Sequence, residues 1–310
     1  MAKNMPTADE ALKKFFSDNA VFADLFNSFL FKCEFIKEDE LVSVETAYAD
    51  SVSVNQSKKE RIGKITKYRD IARKASTFGN FVILGIENQS EIHHAMPVRT
   101  MLYDALEYCK QMEILSVKQE REGWTVDEFL SRISKNTKVI PVITCVFYTG
   151  EKPWDGPRCL HDMLDMDDRI KKFVPNYPLN IIDIGHDYGL SFNNKELNEL
   201  KNILQMVYSN CVDNIADEIN SNVISLAGIL LNDNALYLSA KKGGRVKMCE
   251  ALKKRDMHIF AEKDAEIAEK DAEIAEKDAE IAEKEAELAE KEAELAEKEA
   301  EIAALKAKLS

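Results

Sequence analysis

Between residues 81 and 90 the chain reads FVILGIENQS: six positions almost wholly β-branched, aromatic or aliphatic, then an abrupt change to polar residues. A short, uninterrupted apolar run of that kind predicts a strand buried on both faces. VIPVITCVFY at 139–148 is a second such run, and Leu179 to Ile184 a third. Tyr68 to Lys74 is also strand-like, interrupted by Asp70. A turn around Ser76 to Asn80 would make it the antiparallel neighbour of 81–90.

Helical spacing dominates elsewhere. From Asp9 to Phe31, Phe15, Phe16, Phe22, Leu25, Phe26, Phe29 and Leu30 recur at helical intervals, with a break near Asp18-Asn19 and Thr7 or Asp9 as cap. A further helix runs from Pro97 to about Met112, proline being well tolerated in a first turn. A short one covers Trp124 to Ser134, and an acidic one follows Leu160. Beyond Asn194 the pattern is helical to about residue 257, broken at Gly243-Gly244, with a helix rich in Lys247, Lys253, Lys254 and Arg255 after the break. Strands alternating with helices, one hairpin among them, argue for an α/β or α+β body.

The last fifty residues repeat AEKDAEI and its variants with a seven-residue period, placing Ile267, Ile274, Ile281, Leu288, Leu295 and Ile302 in register beside alanines. That predicts a long helix with a thin apolar arc, and a homo-oligomer through residues 261–310 is one outcome. The repeat also changes the meaning of the charge. The whole chain carries −13, but residues 261–310 hold 18 acids against eight lysines, leaving −3 on the rest. The body is nearly neutral, so the global figure does not exclude nucleic acid. Within it, Lys58 to Lys74 has eight basic residues against Glu60 and Asp70. That run suits either a solvated face or phosphate contacts.

Six cysteines (33, 109, 145, 159, 211 and 249) form no C-x-x-C pair and read as reduced thiols. Nothing has the length of a membrane span, and the first residues lack the apolar core of a signal peptide, so a cytoplasmic protein is expected. The adjacent His93-His94 and the acids Asp162, Asp165, Asp167 and Asp168 lack the spacing of zinc or calcium sites.

Candidate chemistry sits where the apolar strand ends. Glu87 and Gln89 are two apart and share one side of a continuing strand. A carboxylate there needs an arginine, a helix N-terminus or a metal ion. If the hairpin brings Asp70 beside Glu87, two carboxylates and an amide oxygen make a hard site of the magnesium type. The alternative is an ion pair of Glu87 with Arg69 or Arg73.

Asp70 followed by GIENQS (85–90) and MPVRTMLY (96–103) resembles the Rpn family, the YhgA-like putative transposases, recombination-promoting nucleases of the PD-(D/E)XK superfamily. Asp9 with KKFFSDN (13–19), the Pro141-to-Trp154-Asp-Gly-Pro157 region and MCEAL (248–252) extend the likeness over about residues 7–257. The resemblance implies an α+β fold with a PD-(D/E)XK, restriction-endonuclease-like core, a mixed central sheet flanked by helices. The nuclease-like domain would cover 1–190, a helical C-terminal subdomain 191–260, and the heptad helix 261–310. It further implies Asp70, Glu87 and Gln89 as catalytic residues, with Mg²⁺ or Mn²⁺ on Asp70, Glu87 and the backbone carbonyl of Asn88. Gln89 stands where the superfamily usually has lysine; the Rpn-type families themselves have E-x-Q here. DNA would be the partner, contacted by Lys64, Lys67, Arg69, Arg99 and Tyr103; Asp9 would face the site from the first helix. Arg99 and Tyr103 have the spacing of the Q-x-x-x-Y motif of RecB-type nucleases, with arginine for glutamine. The implied reaction is hydrolysis of a phosphodiester. The rival is an inactive DNA-binding or scaffold protein with a coiled-coil assembly tail.

Overall fold

The computed structural model describes residues 5–44, 47–50, 65–68, 70–77, 80–118, 122–209, 218–240, 244–247 and most of 263–302. Residues 1–252 form one compact unit and 253–310 another.

The chain opens with helix α1 (Ala8–Phe15). Thr7 and Glu10 close its first turn as a reciprocal capping box, Thr7 Oγ1 accepting from the Glu10 N–H at 3.2 Å and Glu10 Oε2 from the Thr7 N–H at 3.0 Å. The break expected at Asp18-Asn19 is real. Asp18 caps α2 (Asn19–Phe26), accepting from the Ala20 N–H at 2.8 Å. A wider π turn follows (Asn27–Phe31) and stops at Lys32, whose φ of 54° is left-handed.

Next come β1 (Leu41–Ser43), then β2 (Ala47–Asp50) and β3 (Ile65–Tyr68), which pair antiparallel as a separate ribbon. The strand expected to contain Asp70 is therefore two strands. β3 ends at Tyr68, β4 runs Ile71–Thr77, and Asp70 lies in the bend between them. β5 (Asn80–Gln89) completes the hairpin; α3 (Met96–Lys118) and α4 (Val126–Ser131) then lead to β6 (Val142–Tyr148). After a short α5 (Asp168–Lys171) comes β7 (Asn180–Asp183). The five-stranded sheet has the order β1-β4-β5-β6-β7. β1, β4 and β5 are antiparallel neighbours, whereas β5, β6 and β7 run parallel. This is the mixed sheet flanked by helices that the sequence implied.

The two faces of the sheet are covered differently. One face packs Ile71, Leu84, Ile86, Cys145, Phe147 and Ile182 against Leu12 and Phe16 of α1, Phe22 and Phe26 of α2, and the helical C-terminal part. That part consists of α6 (Lys195–Ser209), β8 (Glu218–Asn220), α7 (Ser221–Leu230), α8 (Asn234–Ser239) and β9 (Arg245–Lys247). Gly228 lets α8 lie close on α7, since a Cβ there would sit 2.5 Å from the Tyr237 nitrogen. Gly244 has φ +80° and is followed by a strand paired with β8, not by the helix expected after the glycines. Lys253, Lys254 and Arg255 lie outside the described residues.

Polar pegs bind α3 to the other face. Thr144 Oγ1 donates to Asp104 Oδ1 at 2.6 Å, and Tyr177 OH donates to the other Asp104 oxygen. Gln111 clasps the Ile140 peptide at both ends, at 2.6 and 3.1 Å, and Tyr108 OH accepts from the Val142 N–H at 3.1 Å. Each satisfies a polar group that burial would otherwise penalise. Met96, Val146, Tyr148 and Trp154 form a smaller apolar cluster on the same side.

In the C-terminal unit, the described residues between Lys263 and Ile302 are helical. The register residues Ile267 to Ile302 are each 51–61% exposed, and Lys270 reaches Glu266 at 2.6 Å. Asp264 lies outside the described residues. Among those described, no helix is long and apolar enough to cross a membrane.

Candidate active site

Glu87 is the anomaly of β5. Leu84 and Ile86 face the apolar core, so strand alternation turns Glu87 to the α3 side, where it is 0% exposed. Proline-initiated α3 brings Arg99 over it, with Nη2 3.2 Å from Glu87 Oε2. The guanidinium also lies over the Tyr103 ring, 5.6 Å from its centre, and its Nε donates to Tyr103 OH at 3.2 Å. Burial works against the charge of Arg99, but Glu87, Tyr103 and Asp70 outweigh it and hold the pKa above the ordinary value. Tyr103 is 4% exposed, so in this structure it props Arg99 and does not offer a ring to a ligand.

Asp70 reaches the same end of the hairpin from the bend that precedes β4. The register Ile71↔Ile86, carried one step further, sets Asp70 opposite Glu87. Its carboxylate turns back to accept the Asn88 N–H at 2.8 Å. Burial pushes the Asp70 carboxyl up. Asp9 adds to that effect, and the Asn88 N–H, Lys13 and Arg99 oppose it without cancelling it. Gln89 closes β5, its side chain donating to the Asn88 carbonyl at 2.7 Å and its own carbonyl accepting from the Thr149 N–H at 2.9 Å. Both polar atoms of the Asn88 carboxamide are buried and find no hydrogen-bond partner among the described residues.

α1 contributes a residue that the sequence reading passed over. Lys13 Nζ stands 2.6 Å from Asp9 and 3.6 Å from Asp70. Asp9 thus joins the group through Lys13, on an i,i+4 spacing visible in the sequence. Burial works against the Lys13 charge, but Asp9 and Asp70 outweigh it and raise its pKa. Arg73, one of the two arginines that could have paired with Glu87, goes elsewhere. It donates to Ser43 Oγ at 2.8 Å and to the carbonyls of Phe16 and Ser17 at 3.1 Å, at the C-terminal end of α1. Arg69 and Lys64 lie outside the described residues, as does the side chain of Lys67 on β3.

The donor set suits a magnesium-type ion. Among the described residues no three His, Cys, Asp or Glu side chains cluster closely enough to hold a metal. The acids at this site stand as the pair Asp70 and Glu87, with the Asn88 carbonyl beside them. Mg²⁺ is bound through one or two carboxylates while keeping several waters, so a pair suffices. The buried Asp70 carboxyl, held above its ordinary range, is the kind of group that gains from a cation.

A mixed five-stranded sheet with helices on both faces, and with Asp70 set opposite Glu87 in register at the end of its central hairpin, is an α+β fold. The chain belongs to the family described as "Putative transposase, YhgA-like", whose profile matches residues 8–227, more than two-thirds of its length. No curated protein and no solved structure matches it.

Proposed function

We propose that the chain is a metal-dependent DNA endonuclease that promotes recombination. The observation that carries this reading is the fully buried Glu87 at the end of an apolar strand, facing Asp70 across a hairpin. Asp70, Glu87 and the Asn88 carbonyl would hold Mg²⁺ or Mn²⁺, which when bound activates water and offsets charge on the phosphoryl group. Gln89 has no ammonium and takes no proton, so its amide orients the Asn88 carbonyl or a water. Arg99, braced by Tyr103, would turn towards a DNA phosphate, the ligand its planar fork suits. Lys64, Lys67 and Arg69 supply backbone contacts that weaken as salt rises. In the reaction a water oxygen bonds to phosphorus and the phosphorus–oxygen bond to the leaving group breaks. The water's proton goes to solvent, and the leaving oxygen takes one up.

The ion pairs Arg99–Glu87 and Lys13–Asp70 favour a second reading, in which the same acids merely hold a DNA-binding scaffold together. One assay separates the two. The purified chain should nick supercoiled plasmid in Mg²⁺ and stop on chelation, and Asp70→Ala should abolish nicking without lowering the melting temperature. Nicking that survives Asp70→Ala would remove the acids from the chemistry.

A further inference from the structure

Within this nuclease reading, position 89 poses a chemical problem. Beside two carboxylates that hold a cation, cleavage of a phosphodiester also draws on a positive group at the phosphate itself, since charge develops on its oxygens. Glutamine has none to give. The ammonium nearest to Asp70 comes instead from another element. Lys13 Nζ lies 3.6 Å from Asp70 Oδ1 and 2.6 Å from Asp9 Oδ2, on the helix that packs at the end of the hairpin.

We propose that Lys13 is a catalytic residue of this site, its ammonium placed on the scissile phosphate from α1 and doing there what a lysine at position 89 would do from the strand.

Three features make α1 a fixed platform and not a passing neighbour. Leu12 and Phe16, on either side of Lys13, are 2% and 0% exposed in the main core, so the helix cannot roll. The Thr7–Glu10 box fixes its first turn, and Arg73 of β4 binds the carbonyls of Phe16 and Ser17 beyond its last. Arg73 belongs to the strand that Asp70 precedes, so the helix bearing the lysine and the bend bearing the acid are tied by one residue. Within this frame the Lys13 side chain is 41% exposed, open to an arriving substrate. Asp9, 49% exposed, holds the ammonium on its outer side and keeps the long side chain from wandering.

A cation at this position has two opposed effects, and the pair is diagnostic. It stabilises the anionic phosphate during cleavage, yet it competes with a divalent ion for Asp70. Wild type, Lys13→Met, Lys13→Arg and Asp70→Ala should be compared for nicking of supercoiled plasmid in Mg²⁺. The affinity of each full chain for Mn²⁺ alone, without DNA, should be measured by titration calorimetry. Lys13→Met should lose about 100-fold in kcat, the scale of one removed electrostatic donor, with KM within about threefold. The same variant should bind Mn²⁺ about threefold or more tightly, because a like charge beside the carboxylate has gone. Lys13→Arg should recover to within about tenfold of wild type, having the charge but not the compact ammonium.

If Lys13→Met nicks at the wild-type rate while Asp70→Ala is dead, the proposal falls and the nuclease reading stands. Equal losses in Lys13→Met and Lys13→Arg with lowered melting temperatures would make Lys13 a helix clamp and overturn the proposal too. If the wild type itself does not nick in Mg²⁺, the nuclease reading falls and takes the proposal with it.

Discussion

Removing the guanidinium over Glu87 tests whether the acid is held by design of charge or by packing alone. Arg99→Met keeps most of the volume of the side chain stem and deletes the charge. At 3.2 Å, two unit charges interact by about 5 kcal/mol at an effective dielectric of about 20. The Arg99 side chain is 30% exposed, so water weakens the attraction, and a net loss of about 3 kcal/mol is expected, the lower end for a broken buried pair. For a unit of this size that lowers the melting temperature by about 6–12 °C. Thermal unfolding followed by circular dichroism at pH 7.5 reads it directly. A buried carboxyl that has lost its guanidinium binds its proton more tightly in the folded chain than in the unfolded one. The penalty therefore grows as pH rises above the ordinary glutamate value of about 4.3, and the two proteins should draw together near pH 4.5. The double variant Glu87→Gln, Arg99→Met should regain more than half of the loss, having neither charge to bury. An Arg99→Met protein that melts within a degree of wild type, or a double variant less stable than the single, would refute this reasoning.

Burial raises the Asp70 carboxyl, so its ionisation costs stability above the ordinary aspartate value of about 3.9 and costs nothing well below it. Asp70→Asn should accordingly raise the melting temperature at pH 7 and bring no gain at pH 3.5; calorimetry showing a lower midpoint at pH 7 would contradict a carboxyl whose ionisation costs stability. For the C-terminal helix, the full chain should sediment as a larger species than a chain ending at Phe260, increasingly so as pH falls towards about 4 and its acids lose their mutual repulsion. Equal monomers at micromolar concentration would make it a spacer, and plasmid nicking should survive its removal in either case.

The hairpin and its acids were legible because they depend on local signals. An apolar run that ends in Glu-x-Gln announces a buried strand with a problem at its end, and Asp18 announces the break between α1 and α2. What was not legible depends on how elements turn against one another. Which arginine would meet Glu87 could not be read from spacing: Arg69 and Arg73 were the candidates the hairpin offered, and the partner came from α3. The roll of α3 over the sheet decided for Arg99, and Arg73 went to the end of α1. The same helix shows the limit of hydrophobic periodicity. Asp104, Glu107 and Gln111 are its buried side, while Val98, Leu102 and Met112 are exposed, the reverse of an amphipathic reading. β1, β8 and β9 are three residues each, too short for an alternation to register, and β8 pairs with a strand 25 residues downstream. Lys13 was visible only as an i,i+4 partner of Asp9; its approach to Asp70 is a tertiary fact.

The lengths of the strands bear on how copies of this chain can meet. The central β5 runs for ten residues, but the sheet ends in β1 with three and β7 with four. A border that short offers few unsatisfied backbone groups in a row, so it is a poor template for another strand to zip onto. The long apolar strand, the segment of this body most able to seed cross-β stacking, is walled in on both sides by its neighbours. Crowding of the folded body should therefore not lead to fibres by sheet extension, and any hazard of that kind belongs to the unfolded chain, before the hairpin has closed.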